Sequence, residues 1–236
     1  MGLSLGLGVT SSSYVDSVWN PSVLSSLIHW YRLGVGQTES GGQLSQWNDQ
    51  KGSNHLTGAG GAANQPVVSS GAVVFNANDD HLEFTSSLQL GTFSIYIRAL
   101  HTNVDAGDFI LCQSDNGGTD FFKLHEEDLP RVKINGSRHN YAFDSSASIS
   151  NNTKYSLGFE RASNDAISIF AEQSGSNLTA SVDGTLGDGT EAVSAKTDFV
   201  EVGRPSKDLT IYEMVVLNDS LSSDNRALLL NYLSNI

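Results

Sequence analysis

Short apolar runs alternate with polar residues throughout residues 75–217, and the runs are separated by Gly, Asn, Asp and Ser. In the segment Phe93–Arg98, for example, Phe93, Ile95 and Ile97 fall on one face and polar-tipped residues fall on the other. Period-two alternation in short runs bounded by turn formers is typical of antiparallel strands. The pattern therefore predicts an all-β fold, an antiparallel β-sandwich.

The same alternation predicts further strands at residues 154–160, Arg131–Ile134, Ala166–Glu172 and Asn177–Val182. The second of these runs directly into Asn135-Gly136, a dipeptide that tolerates the positive φ angles of a tight hairpin turn. The last enters an Asp183-Gly184 turn, where strand propensity and turn chemistry agree. Both positions are therefore predicted to be hairpin turns.

Helix signals are scarce. Asn20-Pro21 favours a single capped turn ahead of Leu27–Leu33. Near the C-terminus, Ser223 or Asp224 is placed to cap a helix whose apolar residues share one stripe at helical spacing, namely Leu229, Tyr232, Leu233 and Ile236. We expect this helix to lie across an edge or end of the sandwich, where it would cover strand edges.

Composition restricts the class of protein. The 236 residues contain 39% hydrophobic residues, enough for the core of one sandwich domain. The 26 acidic and 13 basic side chains give a formal charge of −13, which repels nucleic acid and anionic membranes. No run approaches the roughly 20 apolar residues of a membrane-spanning helix. We therefore expect neither nucleic acid as a partner nor membrane insertion.

Two local features complete the organisation. Cys112 is the single cysteine and is predicted to be a small buried core residue. Residues 1–14 lack Lys and Arg and therefore the charged start of a secretory signal; within them Gly2–Gly8 alternates Leu with Gly and Ser. We assign residues 1–14 to an arm, for which assembly and a frayed terminus remain alternatives. Residues 15–236 form the expected domain.

The order of several motifs resembles the laminin G-like jelly rolls of the concanavalin A-like lectin and glucanase superfamily, of the kind found in phage structural proteins. The similar segments are Leu27–Tyr31, Gln43–Asp49, Gly52–Leu56, Val73–Asn76, Asn78–Leu82, Phe93–Arg98, Val182–Gly184, Val202–Arg204, Ile211–Asn218 and Leu221-Ser222. The match spans about residues 15–236. It implies a jelly-roll sandwich with a closing helix, a fold that hosts several functions.

The resemblance also implies where an enzyme of this superfamily would carry its carboxylates. Retaining glucanases have an alternating Glu-x-Asp-x-Glu strand, because double displacement needs two carboxylates on one face, about 5 Å apart. The nearest match has Glu126 and Asp128, but Pro130 replaces the third acid and would end such a strand. A solvated acidic turn is favoured, and the chain is predicted not to be an enzyme; a glucan hydrolase using Glu126 and Asp128 is the weaker alternative.

Metal binding is a second implication, since laminin G-like modules bind calcium through oxygen ligands at the sandwich rim. The candidate ligands are Asp79, Asp80, Asp183 and Asp188, and Asn78, Asp115 and Asp120 lie in similar turns. Asp and Asn are also ordinary turn formers, so solvated turns without a metal are the favoured interpretation. No other cofactor is expected, and the six histidines lack the close spacing of a zinc site.

Aromatic side chains offer flat faces on which a pyranose can stack. Trp30, Tyr96 and Tyr141 are the candidate ligand-binding residues, with Asn and Asp nearby to bond hydroxyls. Trp47 is interpreted as a core residue.

The resulting functional prediction is a virion structural and surface-binding module of a tailed phage, as a capsid decoration, fibre or tail-associated protein. Its expected partners are other virion proteins, further copies of itself and cell-surface polysaccharide, and its expected location is the virion. The alternative is an extracellular lectin-like module of a secreted bacterial protein.

Overall fold

The computed structural model describes residues 19–77, 79–103, 109–114, 118–125, 129–143, 148–182, 196–204 and 209–236. Within these ranges the chain forms 17 strands, two short 3-10 turns (Pro21–Val23 and Ala62–Asn64) and one α-helix, α1 (Ser223–Ser234). The strands are β1 (Leu27–Tyr31), β2 (Gln37–Ser40), β3 (Gln43–Trp47), β4 (Leu56–Gly58), β5 (Val67–Ser69), β6 (Ala72–Phe75), β7 (Leu82–Leu88), β8 (Phe93–His101), β9 (Phe109–Cys112), β10 (Phe121–His125), β11 (Leu129–Ile134), β12 (Ser137–Phe143), β13 (Tyr155–Arg161), β14 (Ile167–Gln173), β15 (Ser176–Val182), β16 (Phe199–Val202) and β17 (Leu209–Leu217).

The strands pair antiparallel in two layers. One layer runs β1-β17-β8-β13-β14-β15, and the other runs β3-β4-β7-β16-β9-β10-β11-β12. At one side β12 pairs with β15, and at the other side β17 pairs with β6, which leads through β5 to β3. The result is a closed sandwich consistent with a jelly roll, so the predicted all-β fold with a C-terminal helix is confirmed.

Four phenylalanines join the two layers at the centre of the core. Phe93 and Phe159 come from the first layer, and Phe122 and Phe199 come from the second. The ring centroid of Phe159 lies 4.9 Å from Phe93, 5.0 Å from Phe122 and 6.4 Å from Phe199. Edge and tilted ring contacts at such distances add to the stabilisation from the buried area, so this cluster helps to hold the two layers together.

The strand predictions are confirmed with small shifts of their ends. The predicted hairpin turn is also present, because Asn135 has φ 48° and Gly136 has φ 86° between β11 and β12. The predicted Asp183-Gly184 turn lies outside the described residues. The first helical turn is the 3-10 turn Pro21–Val23, in which the Asn20 Oδ1 accepts a hydrogen bond from the Ser22 amide at 3.0 Å.

Helix α1 differs from the prediction in its cap and its position. Its N-cap is Ser222, whose hydroxyl accepts a hydrogen bond from the Asn225 amide at 3.3 Å, rather than Ser223 or Asp224. The helix does not cover an edge or end of the sandwich. Its buried residues Leu229, Leu230 and Leu233 pack on the outer face of the first layer. That face contributes Tyr96 from β8 and apolar residues of β17, so it needs a cover.

The polar side chains on the outer face of β8 and β13 are therefore buried rather than solvated. The Tyr96 hydroxyl donates to the Glu160 carboxylate at 2.5 Å, and Arg226 of α1 donates to the same carboxylate at 3.0 and 2.9 Å. Arg98 pairs with Glu172 at 3.1 Å beside this group. Burial of an unpaired charge costs roughly several kcal/mol. The pairing therefore explains how these charged side chains can be buried beneath α1.

The predicted arm, residues 1–14, lies outside the described residues, so the division at residue 14 stays a prediction. In the part of the chain that the structure describes, no helix combines the length and the apolar content that a bilayer crossing requires. Cys112 and Trp47 are both buried, at 0% and 1% exposure, as predicted for core residues.

A glycine beneath Tyr96 provides a test of the packing under α1. A Cβ built on Gly158 would lie 2.1 Å from the Tyr96 ring, in a region with no free space. We expect Gly158→Ala to lower the free energy of unfolding by about 1–3 kcal/mol, the usual cost of overpacking a core. Urea unfolding measures the change.

The matched control is Gly91→Ala, because a Cβ at Gly91 meets nothing within 4 Å. Its effect should stay within about 0.5 kcal/mol, as for most surface substitutions. Equal losses in both variants would contradict the packing of Tyr96 against β13.

Candidate functional site

An open groove of about 540 Å³ lies between the β3–β4 loop and residues 86–90, which comprise the end of β7 and the first residues after it. Its lining is mainly polar and consists of His29, Ser53, Asn54, Ser86, Ser87, Leu88, Gln89 and Leu90. None of these residues was selected from the sequence as a ligand-binding candidate, because Ser, Asn and Gln at these positions form no motif that indicates a site.

His29, Ser53 and Asn54 form the first wall of the groove. The position of this wall depends on the buried carboxylate of Asp49. It accepts hydrogen bonds from His29 Nδ1 at 2.7 Å and from the backbone amides of Trp30, Lys51 and Asn54 at 2.9, 3.0 and 3.3 Å. Burial raises the pKa of this carboxyl, but the hydrogen bonds from His29 and the backbone outweigh it and lower the pKa to about 2. The loop is therefore organised around a carboxylate that is negatively charged at neutral pH.

Two further residues of this loop fix its geometry. A Cβ on Gly52 would lie 2.7 Å from the Asp49 Oδ2 and 2.9 Å from the Ile28 carbonyl oxygen, so only glycine allows the approach. Asn54 and Ser86 form a reciprocal pair, in which the Asn54 amide donates to the Ser86 carbonyl at 2.7 Å and accepts from the Ser86 N–H at 2.8 Å. This pair ties the first wall to the second.

Residues 86–90 form the second wall of the groove. Thr197 and Asp198 hold this wall in place through hydrogen bonds. The Thr197 hydroxyl donates to the Leu88 carbonyl at 3.1 Å and accepts from the Leu90 amide at 3.2 Å. The Asp198 carboxylate accepts a hydrogen bond from Gln113 at 3.0 Å. Hydrogen bonds from Gln113 and Ser87 outweigh burial, and with a further one from Gln89 they lower the pKa of Asp198. Both walls are thus preorganised.

The groove offers several hydrogen-bonding groups on rigid walls. His29 is bound through Nδ1 to Asp49, and its side chain remains 18% exposed where it lines the groove. Ser53 and Gln89 are exposed on the two walls. Hydroxyl, amide and imidazole groups suit a small ligand that is itself rich in hydroxyls.

The aromatic residues selected from the sequence do not line this groove. Trp30, Tyr96 and Tyr141 are 7%, 0% and 2% exposed. Trp30 Nε1 donates to Glu213 at 2.6 Å under α1, Tyr96 lies beside it on the same face, and Tyr141 packs between the layers. A sugar cannot stack on ring faces that protein already covers, so these rings act as core residues in this structure.

The described calcium candidates do not form a cation cage. The Asp80 carboxylate is buried and accepts from the Asn76 and Ala77 amides at 2.8 and 3.0 Å, which closes its own turn. Asp79 is exposed. Asp183 and Asp188 lie outside the described residues, as do Glu126 and Asp128, so those predictions stay untested.

The described residues do contain another group of metal-ligating side chains, on the outer face of the second layer. His81, Glu83 and Glu201 offer ligand atoms that all lie within 4.8 Å of one another. The i, i+2 spacing of His81, just before β7, and Glu83, within it, was a usable signal, because alternate residues of an extended chain share a face. Glu201 comes from the neighbouring strand β16, which the sequence alone does not place there.

No protein-family model matches the sequence, and no curated protein matches it. Among solved structures, the chain is similar to Trypanosoma rangeli sialidase, with a TM-score of 0.58 and 12% identity over 90% of this chain and 33% of that one. The chain thus spans about a third of the length of the sialidase.

Carbohydrate-binding domains are also among the similar structures. A VIP36 exoplasmic/lumenal domain in a Ca²⁺/Man2-bound form has a TM-score of 0.46 and 9% identity, covering 87% of this chain and 95% of that one. The Emp47p carbohydrate recognition domain has a TM-score of 0.44 and 10% identity, covering 83% of this chain and 98% of that one.

The prediction that the chain is not an enzyme is contradicted by the sialidase, because a chain of an enzyme contains this fold. At 12% identity the similarity shows the fold alone, so it assigns no reaction to this chain. The exclusion of catalysis is withdrawn.

The hydrogen-bonded Asp49 carboxylate should make the stability of the fold depend on pH. Because the folded pKa is about 2 and the ordinary value is 3.8, the carboxylate stabilises the fold fully above pH 4 and loses this contribution as the pH falls towards 2. Asp49→Asn should cost about 1–3 kcal/mol at pH 7, the range for a buried group left with unmatched partners.

Urea unfolding of both proteins at pH 7, 4 and 2.5 measures the difference. The gap between the wild-type protein and Asp49→Asn should narrow at pH 2.5. A gap that is unchanged from pH 7 to pH 2.5 would contradict the ionised, hydrogen-bonded state of Asp49.

Proposed function

We propose that the chain is a carbohydrate-binding module and that the saccharide occupies the polar groove between the β3–β4 loop and residues 86–90 at the end of β7. The observation that carries this proposal is the groove itself, with about 540 Å³ of open space between two walls rich in hydroxyl and amide groups. Ligand sites commonly measure about 300–1,000 Å³, a range that accommodates one or two sugar rings.

The rigidity of the walls supports binding. Asp49, Asn54 and Asp198 hold the groove through hydrogen bonds that exist before a ligand arrives. A preorganised site loses less conformational entropy when it binds, and this matters for saccharides because each hydroxyl contact replaces one with water. We expect modest affinity, since no Trp, Tyr or Phe is among the described residues that line the groove.

Charge restricts the class of saccharide. The chain carries a formal charge of −13, and the Asp198 carboxylate lies behind the Ser87 and Gln89 wall. Uronates, sulfated sugars and sialic acids would meet repulsion on approach. The proposed ligands are therefore neutral saccharides.

A bulky side chain in the groove tests the proposal. Ser53 is exposed and lines the groove, so Ser53→Tyr should fill the space and abolish binding on a glycan array. The matched control is Ser40→Tyr, because Ser40 is also exposed, on β2, and does not line the groove.

Neutral saccharides should bind the wild-type protein and Ser40→Tyr, and Ser53→Tyr should lose them while its thermal unfolding is unchanged. Equal binding by all three proteins would place the ligand elsewhere. Absence of any saccharide binding by the wild-type protein would reject the proposed function.

A virion surface is the proposed setting of this module, and its laminin G-like classification remains part of the same proposal. The support is the sequence resemblance together with the alternating Gly and Leu residues of the arm.

If the arm mediates assembly, deletion of residues 1–14 should reduce the native mass and particle association of the chain. Size-exclusion chromatography with light scattering measures the first, and an unchanged mass would count against an assembly arm.

A further inference from the structure

We propose that His81, Glu83 and Glu201 form a binding site for one divalent transition-metal ion of the zinc class, at which the guanidinium of Arg204 is the competing cation. The site lies on the outer face of the second layer and is separate from the polar groove.

Strand register brings the two carboxylates together. Glu83 of β7 and Glu201 of β16 are directly opposite each other across the antiparallel pair. Like charges at opposite positions repel, and the repulsion disfavours the pairing unless a cation lies between them. The side-chain face shared by β7 and β16 therefore favours a bound positive charge.

The tautomer of His81 completes the ligand set. Its Nδ1 lies 2.8 Å from the Asp79 carbonyl oxygen, which can only accept, so Nδ1 carries the proton. Nε2 accepts a hydrogen bond from the Arg204 guanidinium, which can only donate, so Nε2 carries the lone pair, and it lies 3.7 Å from the Glu83 Oε1. An imidazole oriented by an Nδ1–H to carbonyl hydrogen bond is the arrangement that metal-binding histidines commonly have.

Arg204 acts at present as the compensating cation. Its guanidinium donates to His81 Nε2 at 2.9 Å and contacts a Glu201 oxygen at 3.5 Å. The guanidinium makes one short hydrogen bond, which is to His81. It therefore does not fully compensate the charge of the two carboxylates. A divalent ion matches this set of one nitrogen and two oxygens, with water completing a tetrahedron.

The cluster is accessible enough to exchange one cation for the other. The Glu83 side chain is 45% exposed and that of Arg204 is 22% exposed, whereas His81 is buried. Zinc bonds of about 2.0–2.2 Å bring tetrahedral ligand atoms to roughly 3.4 Å from one another, which is closer than the cluster lies now. The exposed Glu83 side chain and the departure of Arg204 allow that contraction.

Isothermal titration of the full chain with Zn²⁺ at neutral pH tests the proposal. The wild-type protein should bind one ion, and Glu83→Gln or His81→Ala should weaken binding by more than about tenfold, since loss of an outer partner alone commonly costs about 10–100-fold. Arg204→Gln should bind Zn²⁺ more tightly, because it removes the competing cation.

Glu39→Gln is the matched control, because Glu39 is an exposed glutamate of β2 outside the cluster. Glu83→Gln keeps the test valid if His81→Ala fails to fold, since the Glu83 side chain is 45% exposed whereas His81 is buried. Undiminished Zn²⁺ binding in Glu83→Gln, or weaker binding in Arg204→Gln, would overturn the proposal. So would a wild-type protein that binds no Zn²⁺ at millimolar concentration.

Discussion

Burial of both faces of β8 is the constraint on which the rest of the fold depends. Its inner face carries Phe93, Ile95 and Ile97 in the core, so the polar residues of the outer face could have been left to solvent. Instead α1 covers them, and each buried charge needs a partner. Arg226 of the helix supplies the partner for Glu160 of the neighbouring strand β13, whose carboxylate it binds through two nitrogens, a strong geometry for such a pair. The position of α1 is therefore set by an ion pair as well as by its leucines.

The β3–β4 loop obeys the same rule with a different donor set. Among the described residues, no Lys or Arg side chain pairs with the buried Asp49 carboxylate. Backbone amides and His29 compensate its charge instead. Amides fixed by a carboxylate cannot rearrange without leaving the charge exposed to an apolar surrounding. The loop is thus rigid although it contains no regular structure, and a groove built on it keeps its shape without ligand.

Local pattern was sufficient to predict strands and the Asn135-Gly136 turn, because period-two alternation and positive φ are properties of neighbouring residues. It failed where distant segments decide. Tyr96 was selected as a ligand-binding candidate because nothing in the sequence of β8 indicates that α1, more than a hundred residues later, covers it. The groove was missed because Ser53, Asn54 and Ser86 become a site only when two distant segments meet. Aromatic type, which selected Trp30 and Tyr141, is equally a signal for the core.

The buried acids of this chain differ in how completely their charge is compensated. This difference distinguishes carboxylates with a structural role from carboxylates that can exchange one cation for another. Glu160 holds a bidentate arginine and Asp49 holds several amides, so neither has capacity for another cation. Glu201 is less firmly paired: it faces Glu83 across the ladder, and its contact to Arg204 is 3.5 Å. In a chain with a formal charge of −13, loosely paired carboxylates are where a cation gains most. The place for ion exchange follows from this contrast in pairing rather than from the number of acids.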